Sequence, residues 1–200
     1  DGRLEHRFKM VLNQDSFVIR SKEYVKLASN MIERGVEYNP DMCDRRVINN
    51  YFSALFHDLP ESVTRDIISP VKTATDDLPN IVKKIEDEIV NKELVPLMEP
   101  FFEKEVIYYT SDEFSDRILD KSGKIKHVSW EDLNTKYNST EFDPMDGRLV
   151  RICDHFSALM EADISIKHGI TSEHLTGGRA GILSRYSNGE IISGINVNEF

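Results

Sequence analysis

Two cysteines in 200 residues, Cys43 and Cys153, provide no disulfide framework, and neither sits in a CxxC or any other zinc spacing. Both facts fit a reducing, cytoplasmic setting. Long apolar runs are also missing. None approaches the roughly 20 residues that a membrane-spanning helix needs, so no membrane partner is expected. The sequence shown begins at Asp1, and no basic, apolar, small-residue leader is visible in it. Positive charge is scarce: 25 Lys and Arg face 35 Asp and Glu, giving a net charge of −10. A broad surface for extended nucleic acid is thereby disfavoured, because neutralising a phosphate backbone takes clustered cations. A small phosphorylated ligand stays compatible, since a local basic pocket can exist on an acidic protein.

What the chain does have is 40% hydrophobic and 30% charged residues, enough for one sizeable core. The expected organisation is a single all-α domain over residues 1–200. Its core covers about 16–185, residues 129–145 form a surface insertion, and 186–200 form a tail. There is no internal repeat and no low-complexity tract. Ser21 to Arg34 carries a helical stripe of Tyr24, Val25, Leu27, Ala28, Met31 and Ile32, and Gly35 stops it. Asp44 can cap a helix through Val47, Ile48, Tyr51, Phe52 and Leu55 to Asp58, whose apolar second half should be central. Pro60-Glu61 starts a short helix that ends before Ser69-Pro70.

Further along, Asp77 to Glu93 places Leu78, Ile81, Val82, Ile85 and Ile89 on one face, an ordinary core stripe. Val95 to Phe102 reads as a helical piece broken near Pro100, and Ser111-Asp112-Glu113 as a cap before Phe114. Residues 118–128 surround Lys121-Ser122-Gly123 and predict a small β-hairpin. Trp130 to Pro144 reads as a polar, irregular surface excursion. Asp146 or Gly147 opens a long helix that ends near Gly169. Thr171-Ser-Glu-His174 caps the last helix, and the tail after Tyr186 is loop with at most a short strand.

Three polar groups interrupt these apolar faces. The first is His57-Asp58, inside Tyr51-Phe-Ser-Ala-Leu-Phe-His-Asp-Leu-Pro-Glu61. The second is Glu61 with Thr64-Arg65-Asp66, at helical spacing after the pair. The third is Asp154-His155, inside Leu149-Val-Arg-Ile-Cys-Asp-His-Phe-Ser-Ala-Leu159. A buried carboxylate needs a hydrogen bond, a salt bridge or a metal. One divalent cation would account for His57, Asp58 and Asp154 together, would acidify a bound water, and would attract a phosphoryl oxygen. Glu61 and Asp66 could then handle protons or orient the water, and Arg65, Lys72 and Arg20 could pair with phosphate oxygens. The bland alternatives are a salt-bridged core histidine at His57, a helix-dipole charge at Glu61, and an Asp66 paired with Arg65 or Lys72. His155 reads as a packing or surface residue and Cys153 as core filler.

The run Phe56-His-Asp-Leu-Pro-Glu-Ser-Val-Thr-Arg-Asp-Ile-Ile-Ser-Pro-Val-Lys72 resembles the signature of HD-domain metal-dependent phosphohydrolases. It is most similar to the bacterial 5′-deoxynucleotidase-like branch, whose distal Asp helix Asp154-His-Phe-Ser-Ala-Leu-Met-Glu-Ala162 also resembles. The likeness spans about Ser16 to Gly169. It implies an all-α bundle with a mononuclear divalent site (Mn, Co, Mg, Zn, Ni or Fe) and ligands His57, Asp58 and Asp154. It implies catalytic carboxylates Glu61 and Asp66, and hydrolysis of a (deoxy)nucleoside 5′-monophosphate. That branch forms dimers, which makes a homodimer the assembly to expect. One departure stands out. The family carries a further ligand His on the preceding helix, and the matching stretch, Ile19-Arg-Ser-Lys-Glu23, has none. The nearest upstream is His6, which would serve only with a changed path of the N-terminal stretch. The alternatives are three protein ligands completed by water, or a degenerate, non-catalytic nucleotide-binding or interaction module.

Overall fold

Helix-forming signals are met at six places in the computed structural model, which describes residues 41–61 and 75–199. The helices are α1 (Asp44–Phe56), α2 (Leu78–Ile89), α3 (Pro100–Thr110), α4 (Trp130–Thr135), α5 (Gly147–Lys167) and α6 (Glu173–Tyr186). Two antiparallel hairpins are the only sheets among the described residues. They are β1 (Arg117–Leu119) with β2 (Ile125–His127), and β3 (Ile191–Ile192) with β4 (Ile195–Asn196). The mostly helical reading is therefore met. The first hairpin falls where Lys121-Ser122-Gly123 places it, with Gly123 at φ +77° and Ile118 opposite Lys126. The helices expected at Ser21 to Arg34 and from Pro60-Glu61 towards Ser69 fall on residues outside those described, apart from Pro60 and Glu61.

The described residues fall into two compact units: 56–61 with 75–111, and 41–55 with 112–199. In the first unit, α2 is followed by a π turn (Val90–Leu94) and a 3-10 turn (Val95–Leu97), and α3 then begins at Pro100. Pro100 opens this helix rather than breaking one, because a first-turn proline gives up no intrahelical hydrogen bond. The inward face of α2 is also turned from the expected stripe. Of that stripe Val82 is buried, as is Val90 just beyond the helix, whereas Ile81 and Ile85 are half exposed. Lys83 Nζ donates to the Thr110 carbonyl at 2.9 Å, tying α2 to the end of α3.

The second unit is built on a buried cluster of Ala54, Leu149, Val150, Ile152, Cys153, Tyr186, Ile192, Ile195 and Val197. α6 packs along α5, and Arg179 Nε reaches Asp163 Oδ1 at 3.1 Å between them. Ser172 caps α6 by accepting from Leu175 N at 3.1 Å, as its sequence predicts. The segment after Tyr186 is more than a loose tail: its hairpin inserts Ile192 and Ile195 into the core, and the 3-10 turn after it adds Val197.

The stretch 129–145 likewise departs from a surface excursion. Ser129 Oγ caps α4, Leu133 and Met145 are wholly buried, and Met145 bridges backbone-to-backbone with Arg117. At Gly147 an added Cβ would lie 2.3–2.5 Å from the Ser115 backbone, so only glycine lets α5 start there.

α1 presents an unexpected face. At helical spacing it buries Arg46, Asn49, Asn50, Ser53 and Ala54, a stripe mostly of polar residues. Phe52 and Leu55 stay partly exposed, so its apolar second half is not central as expected. The polar stripe is explained by Asp146. Arg46 grips this carboxylate with two donors, Nε at 2.7 Å and Nη2 at 2.5 Å, and Asn50 Nδ2 adds a third at 2.8 Å. In return the Asp146 N–H bonds Asn50 Oδ1 at 2.8 Å. Arg46 Nη1 continues to Asn134 Oδ1 at 2.6 Å, and Asn49 Nδ2 donates to the Pro144 carbonyl at 3.1 Å. Asp146→Ala would leave the Arg46 charge buried and unpaired and should cost about 3–5 kcal/mol. The paired replacement Arg46→Met with Asp146→Leu should recover most of that loss. Urea unfolding of the two variants checks both expectations.

Asp116 lies nearly buried beside this network. Burial first, and the Asp146 charge second, push its pKa up to about 6. The folded chain therefore holds this proton more tightly than the unfolded one. The associated stability is fully present below pH 3.8 and is lost as pH rises through about 6. Asp116→Asn keeps the acceptor and removes the charge. It should raise the unfolding midpoint relative to the parent at pH 8, and the gain should shrink towards zero near pH 4. Thermal melts across pH test this, and a gain that grows on acidification would contradict it.

Candidate metal centre

Pro60 stops α1 early, because it disfavours helical backbone at Leu59 and has no N–H of its own. The chain leaves at Phe56 through two tight turns: Leu59 N–H bonds the Phe56 carbonyl at 2.8 Å, and Glu61 N–H bonds the Asp58 carbonyl at 3.0 Å. The Phe56 ring stacks on Tyr109 of α3 with centroids 6.4 Å apart, which fixes the residue just before His57.

In that turn the His57 side chain is buried and the Asp58 side chain is 52% exposed, with Nε2 and Oδ1 3.1 Å apart. Two neighbouring ligands on a divalent ion, each about 2.0–2.2 Å from it, stand at a similar separation. The pair is closed behind the imidazole and open beyond the carboxylate. This fits a cation that keeps an exchangeable position. Glu61 is partly buried in the same turn, its backbone tied to that of Asp58.

The third expected ligand, Asp154, is in the second unit, part-buried in the middle of α5. Its neighbours have settled roles. Cys153 is fully buried, and burial followed by the adjacent Asp154 charge pushes its thiol pKa up, so it is core filler and not a nucleophile. His155 is a packing residue: Arg151 Nε donates to its Nε2 at 3.2 Å, and Nδ1 meets the Tyr186 hydroxyl at 2.5 Å. An acceptor Nε2 leaves the ring proton on Nδ1, so this imidazole is neutral. Burial first, then the Arg151 charge, pushes its pKa down to about 4.

Of the residues singled out in the sequence, then, the structure joins His57 with Asp58 and Glu61 in one turn, and sets Asp154 on α5. His6, Arg20, Arg65, Asp66 and Lys72 lie outside the described residues. Sequence reasoning missed Asp116, which sits in a turn ahead of β1 where no periodicity marks it as buried.

Because His155 is neutral, its ring resonances should titrate with a midpoint near 4, measured by NMR through the ring nitrogens. A midpoint near 6.5 would show that the Arg151–His155–Tyr186 chain does not form. The unfolded chain would take up this proton first as pH falls from 6.5, so the residue destabilises the fold in acid.

Comparison with known families gives one match: the HD domain family, over residues 27–182. No curated protein and no solved structure matches the chain.

Proposed function

The chain belongs to the HD domain family, and on that premise we propose a metal-dependent phosphohydrolase whose cation is held by His57, Asp58 and Asp154. The observation that carries this reading is the buried His57 with the open Asp58 at 3.1 Å, in the turn where the family motif sits. One imidazole and two carboxylates suit Mn, Co, Mg, Zn, Ni or Fe.

A divalent cation supplies Lewis acidity for a phosphoryl oxygen and lowers the pKa of a water. The residues do the rest. Glu61, held in the Asp58 turn, takes and returns protons, and Asp66 orients the attacking water. Arg65, Lys72 and Arg20 neutralise the phosphate oxygens as charge builds. The substrate is a phosphomonoester, in the finer reading a (deoxy)nucleoside 5′-monophosphate, in the cytoplasm and with the chain as a homodimer. No helix of the described residues is long and apolar enough to cross a membrane.

A second reading has one specific observation behind it: Ile19–Glu23, where the family places its first ligand, has no histidine. On that reading the domain is degenerate and serves as a non-catalytic nucleotide-binding or interaction module.

Elemental analysis and phosphate release decide between them. The enzyme should carry stoichiometric metal and release phosphate from nucleoside monophosphates with manganese or cobalt. Asp58→Ala and Asp154→Ala should each lower kcat/KM by more than the roughly 10–100-fold typical of losing an outer-sphere partner. Protein that holds no metal after reloading and releases no phosphate would sink the hydrolase and leave the module.

A further inference from the structure

The second unit contains an open cleft of about 420 Å³ that the phosphohydrolase reading does not use. Its walls include Phe114, Asp116, His127, Trp130, Glu131 and Arg148. The volume is at the lower end of the roughly 300–1,000 Å³ of small-molecule sites. Two observations of different kinds mark it as more than a surface groove.

The first is Trp130. Its indole N–H is buried and has no hydrogen-bond partner. Such a donor can only donate, and leaving it unmatched costs about 1–3 kcal/mol. Among the described residues no acceptor reaches it, so an acceptor brought to it by a bound ligand would recover that loss.

The second is the charge arrangement around Asp116. One of its oxygens is fixed by the Arg148 N–H at 3.1 Å, while among the described residues the Arg148 side chain reaches only Glu190, at 3.4 Å and half exposed. An exposed pair of that kind is worth little and gives way to a better partner. The guanidinium is therefore available as a planar, two-pronged donor.

We propose that this cleft binds a small oxyanion, a carboxylate or a phosphate group, received by the Arg148 guanidinium and the Trp130 N–H. An acidic wall would normally oppose this. Glu131 is exposed and screened by water. Asp116 is the one that matters, and it faces Asp146 and Arg148 at the start of α5 and Arg46 of α1. His127, itself 3.4 Å from Asp112, adds no negative charge. With Asp116 protonated, the wall presents a third donor in place of a repelling carboxylate. Oxyanion binding should therefore take up a proton and strengthen on acidification.

Trp130 is the chain's single tryptophan, so its fluorescence reports on this cleft alone. The full chain, free of added metal, would be titrated with acetate, citrate and inorganic phosphate at constant ionic strength, with chloride as the control. At least one oxyanion should give a saturable change, and the probe that does so identifies the group as carboxylate or phosphate. Its affinity should be about tenfold or more tighter at pH 5 than at pH 8. Arg148→Gln should weaken it at least about tenfold, and Arg148→Lys should weaken it less, since a point charge replaces the fork. Asp116→Asn should bind with the pH dependence gone. His57→Ala should leave the titration unchanged, which separates this site from the proposed metal centre. No saturable response to any probe overturns the proposal. So does a response that Arg148→Gln leaves intact, or one that His57→Ala abolishes.

Discussion

The buried carboxylate of Asp146 needs a counter-charge and several donors at once, and the second unit is arranged to supply them. Arg46 gives the charge and two of the donors, Asn50 gives a third, and the Asp146 backbone returns a hydrogen bond to Asn50. Arg46 and Asn50 lie one helical turn apart on α1, so the carboxylate can be satisfied in one register of α1 against the start of α5. The same guanidinium extends to Asn134 just within α4, and Asn49 holds the Pro144 carbonyl. Three separate stretches of chain, α1, α4 and the segment from Pro144 to Asp146, are thus tied together around one charge. An apolar pair of similar shape could fill the space as stably, but it would accept several registers, whereas a fork of donors on a carboxylate accepts few.

This network also sets the state of its neighbours. Asp146 is neutralised by Arg46, so the second buried carboxyl, Asp116, finds no free cation of equal quality. Burial first and the field of Asp146 second hold its proton up to about pH 6, against the opposing pull of the Arg148 N–H. Asp116 leads directly into β1, where Arg117 is bridged to Met145, the residue before Asp146. One short stretch of backbone therefore connects the ion pair to the wall of the cleft. A proton on Asp116 changes the charge of that wall without breaking the pair behind it.

Where the sequence was legible, local chemistry decided the outcome. The His57-Asp58-Leu59-Pro60 turn, the Ser172 cap, the Gly123 hairpin and the long α5 each follow from a residue acting on its own few neighbours. Membership of the HD domain family was likewise visible in the run from Phe56 to Lys72 and in the Asp154 helix. What could not be read depended on partners distant in the chain. Residues 129–145 look polar and irregular, yet Leu133 and Met145 are core because Arg46 and Arg117 bind on either side of them. The tail becomes core through three apolar residues on a hairpin and the turn after it, both too short to show a period. The polar stripe of α1 looks like a solvent face until Asp146 is placed against it. On α2 the expected face is buried only at Val82, and nothing in the isoleucine spacing shows that Ile81 and Ile85 stay half exposed.

The histidine missing from Ile19–Glu23 bears on the proposed centre less through charge than through coordination number. A neutral imidazole, two carboxylates and a divalent cation sum to zero, and exchanging a fourth neutral ligand from imidazole to water leaves that sum unchanged. The electrostatics that an incoming phosphate would meet at the proposed centre would therefore be set by that cation and by basic residues beyond it. In a chain of net charge −10 those basic residues must act locally. What a protein ligand adds over water is attachment: it is held by the fold, while water arrives from solvent and leaves again. Losing it weakens retention of the ion and opens one more position for exchange. In the proposed centre the absence of that histidine would act first on whether metal stays bound, and on phosphoryl chemistry only through that occupancy.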